Sequence, residues 1–139
     1  MADWTRMLMA QLRSDDGEIK EGPLAGKPHL IMTSTGAKTG EPREAVLSFV
    51  RDGEKYVVAG TAGGSPTDPN WVHNVTANPE VKVEAKRKTL QARAHIVTDD
   101  ATYKRLWDAL VESRPDFAAY PAKAGRKIPV ITLEPIAGE

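Results

Sequence analysis

The sequence predicts an α+β fold, a six-stranded antiparallel β-barrel with helical caps. Six short runs have strand character, and most of them are joined by turns too short to hold a helix. Only two of the five links between successive runs contain a helical segment, too few crossovers for a doubly wound parallel sheet. At 139 residues, 40% hydrophobic and 27% charged, the chain suits one compact domain with a modest core.

Trp4, Met7, Leu8 and Leu12 recur at helical spacing and open the chain with an amphipathic helix. Its expected role is to cover the fold. Weak contact with a membrane surface is the minor alternative, since Arg6 and Arg13 are its only basic residues. Residues 14–27 are polar and contain Gly17, Gly22, Pro23 and Gly26, so they read as a loop. Residues 29–34 form a strand, 36–42 a turn and 44–50 a second strand. Asp52-Gly53 marks a tight hairpin into a third strand, 55–59.

A glycine-rich loop follows, then a helix through Ala77 with Asp68 read as its N-cap and Pro69 at its first position. Asn78-Pro79 ends that helix. Residues 81–86 alternate apolar and polar, as a half-buried strand should, and a short basic turn leads to their partner, 89–97. Thr98 reads as the next N-cap, with Asp99 and Asp100 complementing the helix dipole. Tyr103, Leu106, Trp107, Leu110 and Val111 share the buried face of this helix. Ser113-Arg114-Pro115 interrupts it, residues 116–124 form a short irregular helix, and 128–133 the last strand. Pro129 favours an edge or bulged position there.

Composition excludes several function classes. Nineteen basic residues balance nineteen acidic ones, so nothing asks for a nucleic-acid partner. There is no cysteine, which removes disulfides, thiolate metal sites and a cysteine nucleophile. His29, His73 and His95 lack ligand spacing, so no metal site is expected. No apolar run is long enough to span a bilayer and no secretory leader is evident, which points to a cytoplasmic protein.

Two segments carry chemistry. Residues 59–74 bring a β-branched run onto Gly63 and Gly64, which permit positive φ and close approach, while Pro66 and Pro69 stiffen the loop. Residues 33–43 place hydroxyls, Lys38 and Arg43 around a glycine turn. Its Gly-Ala-Lys-Thr lacks the earlier glycine of a phosphate loop and strands follow it, so a nucleotide triphosphatase is excluded. Lys38 offers a point charge and Arg43 a planar fork, a pair suited to phosphate or carboxylates. From the residues alone a solvated hairpin and an ordinary strand-to-helix connection stay open. Equally, Trp71 reads as core, Asn74 as its satisfied polar neighbour, and His73 as exposed.

Thr-Gly-x-Lys-Thr-Gly-x-Pro-Arg at 35–43, Gly-Gly-x-Pro-x-x-Pro-x-Trp-x-x-Asn at 63–74 and Ala77-Asn78-Pro79 follow in order. With Pro115-Asp116-Phe117-Ala118-Ala119-Tyr120 and Arg126-Lys127-Ile128-Pro129-Val130, the pattern resembles the deazaflavin-dependent nitroreductase family of split β-barrels over residues 28–135. Residues 1–27, a helix and loop, lie outside the likeness within a single domain, 1–139.

The resemblance implies a domain that binds reduced coenzyme F420 and passes its hydride to a small organic acceptor such as an activated alkene, quinone or nitroarene. By that likeness Lys38 and Arg43 hold the coenzyme's phosphate and acidic tail, and Thr39 adds a hydrogen bond. Thr61, Ala62, Gly63 and Gly64 receive the ring, Trp71 and Asn74 flank it, and Tyr120 stands on the acceptor side. Thr61, Tyr120 or a backbone amide is the expected donor to the charge developing on the acceptor, and water the expected proton source. Ala37 and Ala62 stand where the family often carries arginine and lysine. The alternatives are FMN as cofactor on a similar barrel, or a carrier that binds the coenzyme without turnover. Monomer and homodimer are both compatible with such a barrel.

Overall fold

The computed structural model describes residues 3–14, 17–20 and 24–136, so Gly22 and Pro23 of the expected loop lie outside it. Four α-helices, α1 (Asp3–Leu12), α2 (Asn70–Ala77), α3 (Asp100–Ser113) and α4 (Tyr120–Ala124), accompany seven strands among these residues. The strands are β1 (His29–Thr35), β2 (Pro42–Ser48), β3 (Val50–Asp52), β4 (Lys55–Ala59), β5 (Glu80–Ala85), β6 (Lys88–Ile96) and β7 (Val130–Pro135). All pairings are antiparallel, in the order β2-β1-β5-β6-β7-β4-β3. The two edge strands are consecutive in the chain, so the sheet curls back on itself as a split barrel.

The expected strand 44–50 breaks at Phe49, which raises the count from six to seven. Ser48 pairs with His29 of β1, whereas Val50 pairs with Val57 of β4, at opposite ends of the strand order. A straight strand cannot serve both partners. Phe49 turns inward at the corner, 5% exposed, with its ring edge-on to Tyr56 at 5.3 Å.

Burial on both faces explains the unbroken apolar runs in β1 and β4. Leu30, Met32, Tyr56 and Val58 point into the barrel, where Trp71, Val72 and Val75 of α2 join them. Val57 and Ala59 face outward against Leu106 and Leu110 of α3 and Phe117. Ile31 faces α1, meeting Leu8, Met9 and Leu12. Arg13 fastens that helix to the sheet by bonds to Glu44 and Glu84 at 2.5 to 3.0 Å.

Several local expectations are corrected. Trp4 and Met7 are 53% and 52% exposed and Met9 is buried in their stead, because only the second half of α1 lies on β1. The hairpin turn is Gly53-Glu54, since Asp52 still pairs with Lys55, and Gly53 takes the positive φ of 61°. Asp99 rather than Thr98 caps α3, accepting from the Thr102 N–H at 2.8 Å. Asp68 caps nothing: α2 begins after an extended Pro69, and the Asp68 carboxylate takes a guanidinium instead. Pro129 lies just before β7, a central strand, so no edge or bulge is needed. Tyr103 and Trp107 are half-buried and stacked, packing on the outer core cluster.

Candidate functional site

The loop after β4 is held by cations from outside. Gly60 is squeezed: a Cβ there would stand 2.8 Å from Val72 and 2.9 Å from Pro129. Ala62, Gly63 and Gly64 then take positive φ of 46°, 64° and 84° in succession, a turn that costs little for glycine and about 1–2 kcal/mol for the alanine. Arg126 offsets that strain. Its guanidinium donates to the carbonyls of Ser65 (3.0 Å), Gly60 (3.1 Å) and Thr61 (3.3 Å) and to Asp68 Oδ1 (2.6 Å). Lys123 Nζ adds a bond to the Gly63 carbonyl at 3.1 Å. With these carbonyls engaged, the N–H groups of Thr61, Ala62 and Gly63 have no acceptor among the described residues. Three consecutive donors are thereby left for a ligand.

That loop edges a cavity of about 920 Å³, to which Thr61, Ala62, Gly63, Trp71, Arg43 and Tyr120 contribute. A second hollow of about 560 Å³ is lined by Lys38, Thr39, Asn74 and again Arg43 and Trp71. Arg43, Glu44, Ala45 and Trp71 belong to both, so the two form one elongated groove. Eight of the nine residues expected to meet a cofactor line it, and Tyr120 does too. Gly64 is the exception, buried beside Tyr120 and Lys123 rather than on the wall.

At the basic end, Asn74 is 8% exposed and its Oδ1 accepts from the Ala37 N–H at 3.0 Å. Its side chain thus holds the basic turn on α2. Thr39 Oγ1 accepts from the Glu41 N–H at 3.2 Å. Lys38 has no ion-pair partner among the described residues, and Arg43 pairs with exposed Glu41 at 3.3 Å, a contact worth little in water, and donates to the Pro42 carbonyl at 3.3 Å. Both cations are available to an anion. His73 is exposed at the rim of this hollow.

Sequence reasoning missed one wall of the larger cavity. His29, Ser48 and Arg114 line it together although they are 19 and 66 positions apart along the chain. His29 Nδ1 donates to the Lys27 carbonyl at 2.9 Å, which leaves Nε2 to accept the Ser48 hydroxyl at 2.9 Å. Ser48 Oγ in turn accepts from Arg114 Nη1 at 2.6 Å. Arg114 also grips Asp116 with two bonds, 2.8 and 2.9 Å, and Tyr120 Oη donates to the same carboxylate at 3.0 Å. The Arg114 guanidinium holds Asp116 at about 2. Burial, then the bond to Asp116, pushes the Tyr120 phenol up. Only the pairing of β1 with β2 and the helix break at Pro115 could have signalled this cluster.

Burial is also the main cause that holds His29 below its ordinary 6.5. The unfolded chain therefore binds a proton near neutrality that the folded chain refuses. Stability should fall as pH drops below about 6.5, and His29→Gln should flatten that decline. Urea midpoints at about pH 7.5 and 5.5 for both proteins would show it. An equal decline in the variant would remove His29 as its source.

Among the described residues no group of three or more His, Cys, Asp or Glu converges to hold a metal. No described helix is long and apolar enough to cross a membrane.

Comparisons with known proteins agree with one another. The family model described as F420H(2)-dependent quinone reductase matches residues 4–135, a span that takes in α1 from Trp4 onward. The F420H(2)-dependent quinone reductase Rv1261c of Mycobacterium tuberculosis is 35% identical over 130 residues, 92% of this chain and 87% of the relative. A solved F420-H2 dependent reductase (FDR-A) superposes with a TM-score of 0.71 at 36% identity, covering 77% of this chain and 94% of its own. A second structure, described as a domain-swapped dimer, gives 0.72 at 32% identity over 95% and 98%.

Proposed function

The chain belongs to the F420H(2)-dependent quinone reductase family, and on that premise we propose that its groove takes the deazaflavin coenzyme end to end and sets an organic acceptor against the ring. The chain is an oxidoreductase, and its cofactor is coenzyme F420. Bound there, the coenzyme supplies a hydride. The observation that carries this reading is the groove itself, in which a cationic end and a cavity edged by unpaired N–H groups share Arg43 and Trp71. An anionic tail and a flat polar ring are the ligand such a shape suits.

In this reading Lys38 and Arg43 hold the tail and Thr39 assists. Asn74 fixes the turn that carries them. The N–H groups of Thr61, Ala62 and Gly63 meet the polar edge of the ring, and Gly64 provides the turn beneath. Trp71 forms the floor. Tyr120 lends its ring to the acceptor side, its hydroxyl being engaged by Asp116. The cavity beyond the loop has room for a quinone-sized acceptor, and hydride transfer there would need donor and acceptor atoms about 3–3.5 Å apart.

Anaerobic mixing of the protein with reduced coenzyme and menadione tests the activity: the coenzyme should be oxidised in step with hydroquinone formed. Parallel titrations should give saturable binding of F420 and none of FMN at the same concentrations. Absence of turnover with intact coenzyme binding would leave a carrier in place of a reductase. We further propose a cytoplasmic protein and, because one structural neighbour is described as a domain-swapped dimer, a homodimer, with exposed Trp4 and Met7 of α1 as the surface for any weak membrane contact. Sedimentation would measure the assembly directly.

A further inference from the structure

The geometry points to Arg114 as the group that receives the oxygen of a carbonyl acceptor, with Ser48 and His29 as its positioning residues. This rests on the reductase reading above. Arg114 is 15% exposed and lines the larger cavity, in a part of the chain that supplies none of the residues assigned to the coenzyme. Three of its five N–H bonds are spoken for, two by Asp116 and one by Ser48. One hydrogen on each terminal nitrogen has no acceptor among the described residues. The Phe117 ring lies 4.9 Å from the guanidinium carbon, so aromatic surface adjoins the remaining donors.

The anchoring is unusually complete for a side chain that only packs. The Lys27 carbonyl fixes the His29 tautomer, and His29 Nε2 takes the Ser48 hydrogen. The Ser48 oxygen must then accept, and what it accepts is Arg114. The other side of the fork is locked by Asp116, itself held by Tyr120. A guanidinium held from two sides on a cavity wall keeps its spare hydrogens in a fixed place, which preorganises it for charge that develops during reaction.

The ligand class is a conjugated carbonyl, and a quinone above all. Hydride addition to a quinone places two electrons in the ring and a negative charge on one oxygen. That oxygen then takes the proton released as the reduced coenzyme becomes oxidised, giving hydroquinone with atoms and charge in balance. Arg114 donates to this oxygen while it is anionic, and the bond is stronger then than to the neutral carbonyl.

The test compares two acceptors, menadione and the cationic, oxygen-free N-methylphenazinium, on wild type, Arg114→Gln and Ser48→Ala with coenzyme bound. Arg114→Gln should lower kcat for menadione about 100-fold, and Ser48→Ala about tenfold, as loss of a donor to a developing oxyanion does. Turnover of N-methylphenazinium should fall by no more than about threefold, and coenzyme affinity by no more than about twofold, since neither needs the donor. Menadione binding to the coenzyme-free chain, followed by tryptophan quenching, should weaken about tenfold in Arg114→Gln. Equal losses for both acceptors, or no loss for menadione, overturn the inference. Should Arg114→Gln fail to fold, Ser48→Ala decides by the same comparison, because it leaves the pair with Asp116 intact. Wild type that binds no coenzyme would overturn the reductase reading and this inference with it.

Discussion

Replacing Arg126 with methionine should destabilise the protein by about 3 kcal/mol and remove coenzyme binding at any accessible concentration. The guanidinium is 15% exposed and makes four bonds, to three loop carbonyls and to Asp68, whose side chain is 33% exposed. Methionine fills the volume but leaves a half-buried carboxylate and the Gly60 and Ser65 carbonyls without donors, while the Thr61 carbonyl keeps only the Gly64 N–H. Partial hydration of Asp68 keeps the cost at the lower end of the range for a broken buried pair, about 3–5 kcal/mol. The strained Ala62 would relax, and its N–H would turn from the groove with those of Thr61 and Gly63. Arg126→Lys should recover little, because a single ammonium cannot reach carbonyls on both sides of a fork. Urea unfolding together with coenzyme titration measures both effects, and a variant that unfolds earlier yet binds normally would show that the clamp is purely structural.

Trp71→Ala should cost about 3–5 kcal/mol, the usual range for truncating a buried tryptophan. Trp71 is 9% exposed, stands in the barrel interior with Val72 and Val75, and forms wall in both hollows. The truncation opens a void in the core and removes the floor on which the ring would lie. Trp71→Phe separates these consequences. It keeps an aromatic face and most of the packing, so it should remain folded while coenzyme affinity drops roughly tenfold, about 1.4 kcal/mol. Unchanged affinity in Trp71→Phe would place the ring elsewhere in the groove.

Much of this architecture was legible in the residues. Alternation in β5 and β6, the helical stripe of α3 and the order of turns suffice for an antiparallel barrel with helical caps, because each rests on local periodicity. The break at Phe49 is different in kind. It follows from β2 and β3 pairing at opposite ends of the strand order, which no window around Phe49 records. Asp68 teaches the same lesson on a smaller scale. Asp before Pro is a sound capping signal, yet a guanidinium 58 positions later makes a charge-assisted bond that outweighs it.

The site divides along the same line. Lys38, Arg43 and Gly63 sit in short motifs whose chemistry is visible in sequence, and the fold brings them to one groove. Arg126 and Arg114 act through contacts that only the tertiary structure creates. His29 shows no ligand spacing in the sequence; strand pairing with Ser48 makes it part of the cavity wall. Short motifs reveal residues whose chemistry is local. Contacts such as those of Arg126 with residues 60–68 join distant segments and stay hidden until the chain is folded.

The central claim, that one groove holds ring and tail in the order given, is tested most directly by titrating wild type and the double variant Lys38→Ala with Arg43→Ala against two ligands. One is oxidised F420, and the other is the same deazaflavin riboside without its phosphate and acidic tail. The double variant should bind F420 about 100-fold more weakly, from two charge-assisted contacts at roughly 1.5 kcal/mol each, with the difference shrinking as salt is raised. Its affinity for the tail-less ligand should equal that of wild type. Equal losses for both ligands, or none for F420, would contradict the assignment of the basic turn to the tail.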